Sequence, residues 1–319
     1  MSFVMNKRPS VGRARIFGRV VLALTTLLSV VVLCVGCCRI TSNKRGEGAA
    51  GDSGPVQVIE NKGSDTMVNL ALAWAEAYMA VYPDVRISVT GGGSGTGIAA
   101  LINGTVDMVN ASRAMKDDEW ERARANGIEP VEHVVAMDAI AVVVNPQNPV
   151  EQLTIPQLSA MFTGRINNWT EVGGVDRPIV LLSRESNSGT YVYFLEHVIR
   201  YDPSLQNEFF SPDTLLLPSS EGISNEVRQN PNVIGYDGLG YVTPDQKTLK
   251  IAAAAGKPYI FPTEQTVHDG TYPIARPLYV YTSGEPTGAL QHYLQWIRGP
   301  EGQALVAELG FVPYARREE

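Results

Sequence analysis

Three times along this chain an apolar run gives way to a short turn of Ser, Thr and Gly and then to a helical segment. This recurrence limits the fold more than any other feature of the sequence. The turns are residues 63–66 (GSDT), 91–97 (GGGSGTG) and 184–190 (RESNSGT). Each stands where a helix begins, so the N–H groups of its first turn lack an intrahelical acceptor and the neighbouring hydroxyls add further donors. That is the local chemistry of an oxyanion site. One such turn is common, but three of them, one carrying an arginine, point to loops converging on a small tetrahedral anion.

The segments between the turns define the fold class. Stretches 56–60, 85–90, 106–110 and 139–144 read as strands, and 68–82, 98–103 and 117–125 as helices, the first with Leu70, Ala73, Trp74, Ala77 and Tyr78 at helical spacing. Apolar strands alternating with helices predict an α/β fold with a mainly parallel sheet covered on both faces. Ligands of such sheets bind at the carboxyl ends of strands, where all three turns lie. A second set follows Asn145 and Pro146: a helix at 155–161, a strand at 179–182, a helix at 191–199, strands near 233–235, 249–253 and 276–281, and helices at 288–297 and 300–309. The turn at 184–190 belongs to this second set and the other two to the first. A ligand touching all three would therefore sit between two lobes.

With 319 residues, 44% of them hydrophobic, the chain is long enough for two cores. Its first 37 residues carry Lys7, Arg8, Arg13, Arg15 and Arg19 and no acid, followed by an apolar run at 20–35. The run fits a signal-peptide core and is shorter than the roughly 20 residues of a comfortable membrane span. All three cysteines, Cys34, Cys37 and Cys38, lie here. The segment resembles a bacterial lipoprotein signal, which implies lipidation of Cys37 after Gly36, with Cys38 as the second choice; Cys34 stands where a Leu is usual. The alternative is an uncleaved N-terminal membrane anchor. Residues 38–55, rich in Ser, Gly, Lys and Glu, read as a flexible linker. Either way the folded body is expected to be exported, periplasmic or cell-surface, and tethered. Without the five leading basic residues, 21 Lys and Arg face 33 Asp and Glu, a net charge near −12. Such a protein has no long-range field to gather polyanions, which argues against a nucleic-acid role. The four histidines are scattered without metal-ligand spacing, so neither a metal nor a cofactor is expected.

Over residues 56–314 the chain resembles the periplasmic phosphate-binding proteins of phosphate ABC transporters, the PstS-like class II solute-binding proteins. The markers are GSDT at 63–66, GGGSGTG at 91–97, GTVDMVNASR at 104–113, FTGRINNW at 162–169, SRESNSGT at 183–190 and VIGYDGLGY at 233–241. The resemblance implies a two-lobed fold with a two-strand hinge, each lobe a mostly parallel sheet flanked by helices, with lobe one at 56–141 and 278–319 and lobe two at 142–277. It implies phosphate contacts at Ser64, Asp65 and Thr66, at Ser94, Gly95 and Thr96, at Arg184, Ser188, Gly189 and Thr190, and at Ser112 or Arg113. It also implies a monomer that works with the permease and ATPase subunits of an importer. Some members have an aspartate where this chain has Arg113, and that carboxylate accepts the proton of hydrogen phosphate. Sulfate and phosphate have nearly the same shape, so selectivity rests on such an acceptor. The nearest replacement is Asp65.

Each motif also has an ordinary reading. GGGSGTG could be a glycine hinge, GSDT a helix N-cap, and Arg184 a surface salt-bridge partner of Glu185; Trp169, Tyr236 and Tyr241 read as lobe-two packing. An enzyme would need Ser94 or Ser188 as nucleophile, yet neither lies in a Gly-x-Ser-x-Gly elbow and no His or Lys is placed beside it. A phosphate sensor or scavenger without a permease, or a binder of sulfate or molybdate, stays open at this level.

Overall fold

The computed structural model describes residues 56–314. The expected signal segment, Cys37 and the linker lie outside the described residues. Strand β1 (Gln57–Gly63) leads through a single 3-10 turn into α1 (Val68–Val81), then come β2 (Val85–Thr90), α2 (Ser94–Ile102), β3 (Met108–Ala111), α3 (Asp117–Ala125) and the long β4 (Val131–Val144). The chain continues through β5 (Gln152–Thr154), α4 (Ile155–Phe162), β6 (Val180–Arg184), α5 (Gly189–Phe194), β7 (Leu215–Leu217), α6 (Ser220–Gln229) and β8 (Val233–Gly238). Short strands β9 (Lys247–Thr248) and β10 (Lys250–Ala252) precede α7 (Glu264–His268), and β11 (Ala275–Thr282), α8 (Gly288–Ile297), α9 (Pro300–Glu308) and β12 (Val312–Pro313) complete the body.

The main sheet runs β2-β1-β3-β11-β4-β8-β6-β7. Both outer groups, β2-β1-β3 and β8-β6-β7, are parallel, as the alternation of strand and helix requires. The two middle strands are antiparallel to their neighbours. β4 begins well before the expected residue 139, because Val131–Ala139 pair with β11 before Ile140–Val144 cross over to pair with β8. One strand thus belongs to both halves of the sheet. Helix α6 was not evident from the sequence; Ser219 caps it by accepting from the Gly222 N–H, and it buries Ile223 and Val227.

Apolar residues gather on either side of the crossing. One core holds Ile59, Trp74, Tyr78, Leu278 and Tyr293 between β1, β11 and helices α1, α8 and α9. Another holds Leu158, Phe162, Phe194 and Tyr236, the last two stacked with ring centroids 3.7 Å apart. Trp169 is buried in this second core and donates from Nε1 to the Asn232 carbonyl, as packing residues with a polar edge do.

Candidate functional site

The three Ser/Thr/Gly turns follow β1, β2 and β6 and come together at the carboxyl ends of those strands. Hydrogen bonds join them pairwise. The Gly93 N–H donates to the Gly63 carbonyl at 2.9 Å, the Gly95 N–H to the Asn187 carbonyl at 3.0 Å, and Asn187 Nδ2 to the Gly92 carbonyl at 2.9 Å. The Thr66 and Thr190 hydroxyls, one from each half of the sheet, lie 2.8 Å apart. Ser94 Oγ accepts from the Ser112 N–H at 3.0 Å and lies 3.2 Å from Ser112 Oγ. Ser188 caps α5 by accepting from the Thr190 N–H.

Ser64, Thr66, Ser94, Ser112, Ser188 and Thr190 are all buried, a concentration of hydroxyls that an apolar core would not tolerate without partners. Ser64 Oγ has no partner among the described residues. Glycine is required where the turns meet. A Cβ on Gly189 would strike the hydroxyls of Ser94 and Ser112, and one on Gly97 would approach the Gly63 Cα to 2.6 Å. Gly95 packs against Asn187, and Thr96 lies toward the rim with Oγ1 3.4 Å from Asn187 Nδ2. Every expected contact residue except the two arginines and Asp65 thus contributes a backbone or hydroxyl group to one small buried cluster or its rim.

The charged residues are placed differently. Arg184 is 1% exposed, and its fork is filled by the protein: Nη2 donates to Asp65 Oδ2 at 2.9 Å and to the Pro218 carbonyl, Nη1 to Ser220 Oγ at 2.7 Å, and Nε to the Leu217 carbonyl. Its ionic partners are Asp65 and, at 4.0 Å, Asp237, which corrects the pairing with Glu185 considered from sequence. Glu185 follows Arg184 directly, and adjacent side chains of an extended strand point to opposite faces. Asp65 Oδ2 also accepts from the Ser220 N–H at 2.8 Å, so this carboxylate of one half is held by two donors of the other. Asp237 is pushed up to about 6 by burial, with the Arg184 charge opposing the shift.

Arg113 makes a two-pronged pair with Glu119 at 2.7 Å on both prongs and donates to the Ala114 carbonyl. Burial pushes the Glu119 carboxyl up, but the hydrogen bonds from Arg113 and from the Lys116 N–H together with the Arg113 charge outweigh it and hold the group below its ordinary value. The second arginine of the expected site is therefore largely neutralised by its own neighbour.

Sequence reasoning missed a third arginine. Arg276 of β11 faces Asp138 of β4 in register, with Nη2 2.9 Å and Nε 3.2 Å from Asp138 Oδ2. It reaches the hydroxyl cluster as well, donating from Nη1 to the Ser112 carbonyl and from Nη2 to Thr190 Oγ1, both at 2.9 Å. Burial pushes the Asp138 carboxyl up, opposed by the Arg276 charge and by N–H donors that include Leu239. A signal was present: MDAIAVVV and IARPLYVY each hold one charged residue in an apolar strand, and charges in such strands require partners.

A cluster of helix-start N–H groups and hydroxyls with an ion pair beneath it can hold an anion by donation from many sides. Comparisons with known proteins agree with that chemistry. A family model described as a PBP superfamily domain matches residues 46–301. The phosphate-binding protein PstS of Pseudomonas aeruginosa is 34% identical over 282 residues, covering 83% of this chain and 84% of that protein. The phosphate-binding protein PstS of Bacillus subtilis is 30% identical over 296 residues, 92% and 93% of the two chains. Among solved structures, a putative phosphate ABC transporter substrate-binding protein with bound phosphate from Clostridium perfringens superposes with a TM-score of 0.72 at 29% identity, covering 81% of this chain and all of the other. An ABC-type phosphate transport receptor from Vibrio cholerae gives a TM-score of 0.65 at 26% identity over 80% of this chain and all of the other. With its crossing strand, its donor turns and these relatives together, the chain belongs to the PstS family of phosphate-binding proteins within the PBP superfamily.

Proposed function

We propose that the cleft binds inorganic phosphate reversibly between two lobes and delivers it to an ABC importer. The observation that carries this reading is the meeting of three helix starts from both halves of the sheet, with Thr66 and Thr190 in hydrogen-bond contact across the cleft. The named functions of the relatives support it. The lobes divide where β4 crosses, with 56–141 and 278–319 on one side and 142–277 on the other. The anion takes hydrogen bonds from Ser64, Thr66, Ser94, Gly95, Thr96, Ser112, Ser188, Gly189 and Thr190. Arg184 and Arg113 contribute through their ion pairs with Asp65 and Glu119 as much as through their charge. Asp65 is the acceptor for the proton of hydrogen phosphate: Oδ2 is held by Arg184 and Ser220, while Oδ1 faces the glycine-rich turn at Gly91.

Hydrogen bonds to a charged group are each worth about 1.5–3 kcal/mol. Several of them exceed the roughly 8 kcal/mol of a micromolar complex, and the surplus offsets desolvation of the anion and closure of the lobes. Closure is the signal a permease reads. The body is exported and held at the membrane by lipid on Cys37, acts as a monomer, and catalyses no reaction. Calorimetric titration of the full-length protein with phosphate, sulfate, molybdate and arsenate tests the reading. Phosphate is expected to bind at about micromolar affinity or tighter, and a titration without heat sinks the proposal. Co-purification with a membrane permease separates transport from a scavenging role.

A further inference from the structure

Arg276 stands where β4 leaves β11 to join β8, and it is 1% exposed. A buried ion pair is an expensive way to hold two strands together, and apolar residues serve that end equally well. The Arg276–Asp138 pair does something apolar residues cannot. One prong of the guanidinium holds the Ser112 carbonyl, at the end of β3 in one half of the sheet; the other holds Thr190 Oγ1, at the start of α5 in the other half. The Tyr193 ring lies against the guanidinium, 5.6 Å from centroid to Cζ.

We propose that Arg276 is a positioning residue for the bound oxyanion, acting through Thr190. This rests on the reading of the cleft as a phosphate site. A guanidinium only donates, so Thr190 Oγ1 accepts from Arg276, and its own proton points toward Thr66 or toward an anion placed between them. A hydroxyl that accepts from a cation is polarised into a stronger donor. Asp138 balances the charge of Arg276, so the arginine acts by orienting a donor rather than by bulk attraction. Because the same fork holds Ser112, the donor turns of the two halves are aligned from a single point at the crossing. Neither Arg113 nor Arg184 can do this, since their forks are taken by Glu119 and by Asp65 with the loop carbonyls.

The test is a double-mutant cycle on the full-length protein, read by calorimetric titration with inorganic phosphate. One arm is the neutral pair Arg276→Gln with Asp138→Asn, which leaves no buried charge unpaired; the other is Thr190→Val; the third variant combines them. Each arm is expected to bind phosphate about tenfold more weakly or worse, with the combination no weaker than the worse arm, because both remove one oriented donor. Losses that multiply, or unchanged affinity in the neutral pair, would overturn the inference while leaving the phosphate reading intact. Absence of phosphate binding by the unaltered protein would instead remove that reading and this inference with it. Should the neutral pair fail to fold, Arg276→Lys gives the same decision, since a lysine can stay beside Asp138 but cannot hold Ser112 and Thr190 together. Weaker phosphate binding at an unchanged ligand-free melting temperature supports the role, and unchanged binding overturns it.

Discussion

At the scale of single residues, the cleft separates donors from charges. Hydroxyls and N–H groups face inward, and every arginine near them is paired with a carboxylate. Asp65 matters most because it closes an ion pair between the halves and, under the proposed function, is also the phosphate acceptor. Replacing Asp65 by Asn is expected to weaken phosphate and strengthen sulfate, moving the ratio of their affinities by about tenfold, since an amide no longer repels an unprotonated oxygen. Competitive titration of the two anions checks it, and an unmoved ratio places the acceptor elsewhere. Much of this layer was legible in the sequence. The hydroxyls of the three turns were found because helix-start chemistry is written in consecutive residues, whereas Ser112 came only from the family resemblance. The pairings of Arg184 with Asp65 and of Arg276 with Asp138 were not, because their members lie 119 and 138 positions apart and meet only through the register of the sheet.

At the scale of elements, three strands end in turns whose following helices point their starts at one another. The expected strands and helices fall close to their observed places because each carries its own periodicity. Among what escaped were the very short strands β5, β7 and β12, the helix α7, the polar helix α6 whose apolar face is only Ile223 and Val227, and the early part of β4, where Glu132, His133 and Asp138 interrupt the apolar run. The meeting of the elements depends on Gly189, the first residue of α5. Gly189→Ala is expected to weaken phosphate binding at least about tenfold, because its methyl group would press on the Ser94 and Ser112 hydroxyls of the opposite half. The ligand-free melting temperature should change little, because halves that are apart accommodate the methyl. Calorimetry and a thermal melt together check this, and a melt that falls as far as the binding does would place the contact in the resting fold.

At the scale of the molecule, one of the two middle strands is shared. β4 pairs with β11 along one part and with β8 along the other, and its buried side chains enter both apolar cores. Two lobes joined by a slack linker would unfold separately; lobes that own the same strand cannot. Differential scanning calorimetry of the ligand-free protein is therefore expected to give one transition whose calorimetric and van't Hoff enthalpies agree. Two resolved transitions would mean that the crossing strand couples the halves weakly. If the cleft holds phosphate as proposed, the tight approach of Gly189 and Gly95 to the opposing turn has a further effect: the cleft would work as a gauge of size. A bare tetrahedral oxyanion lets the two sides meet, while an ester carrying even a small organic tail would prop them apart. A permease that recognises only the shut form would then ignore such molecules without ever having to touch the ligand itself.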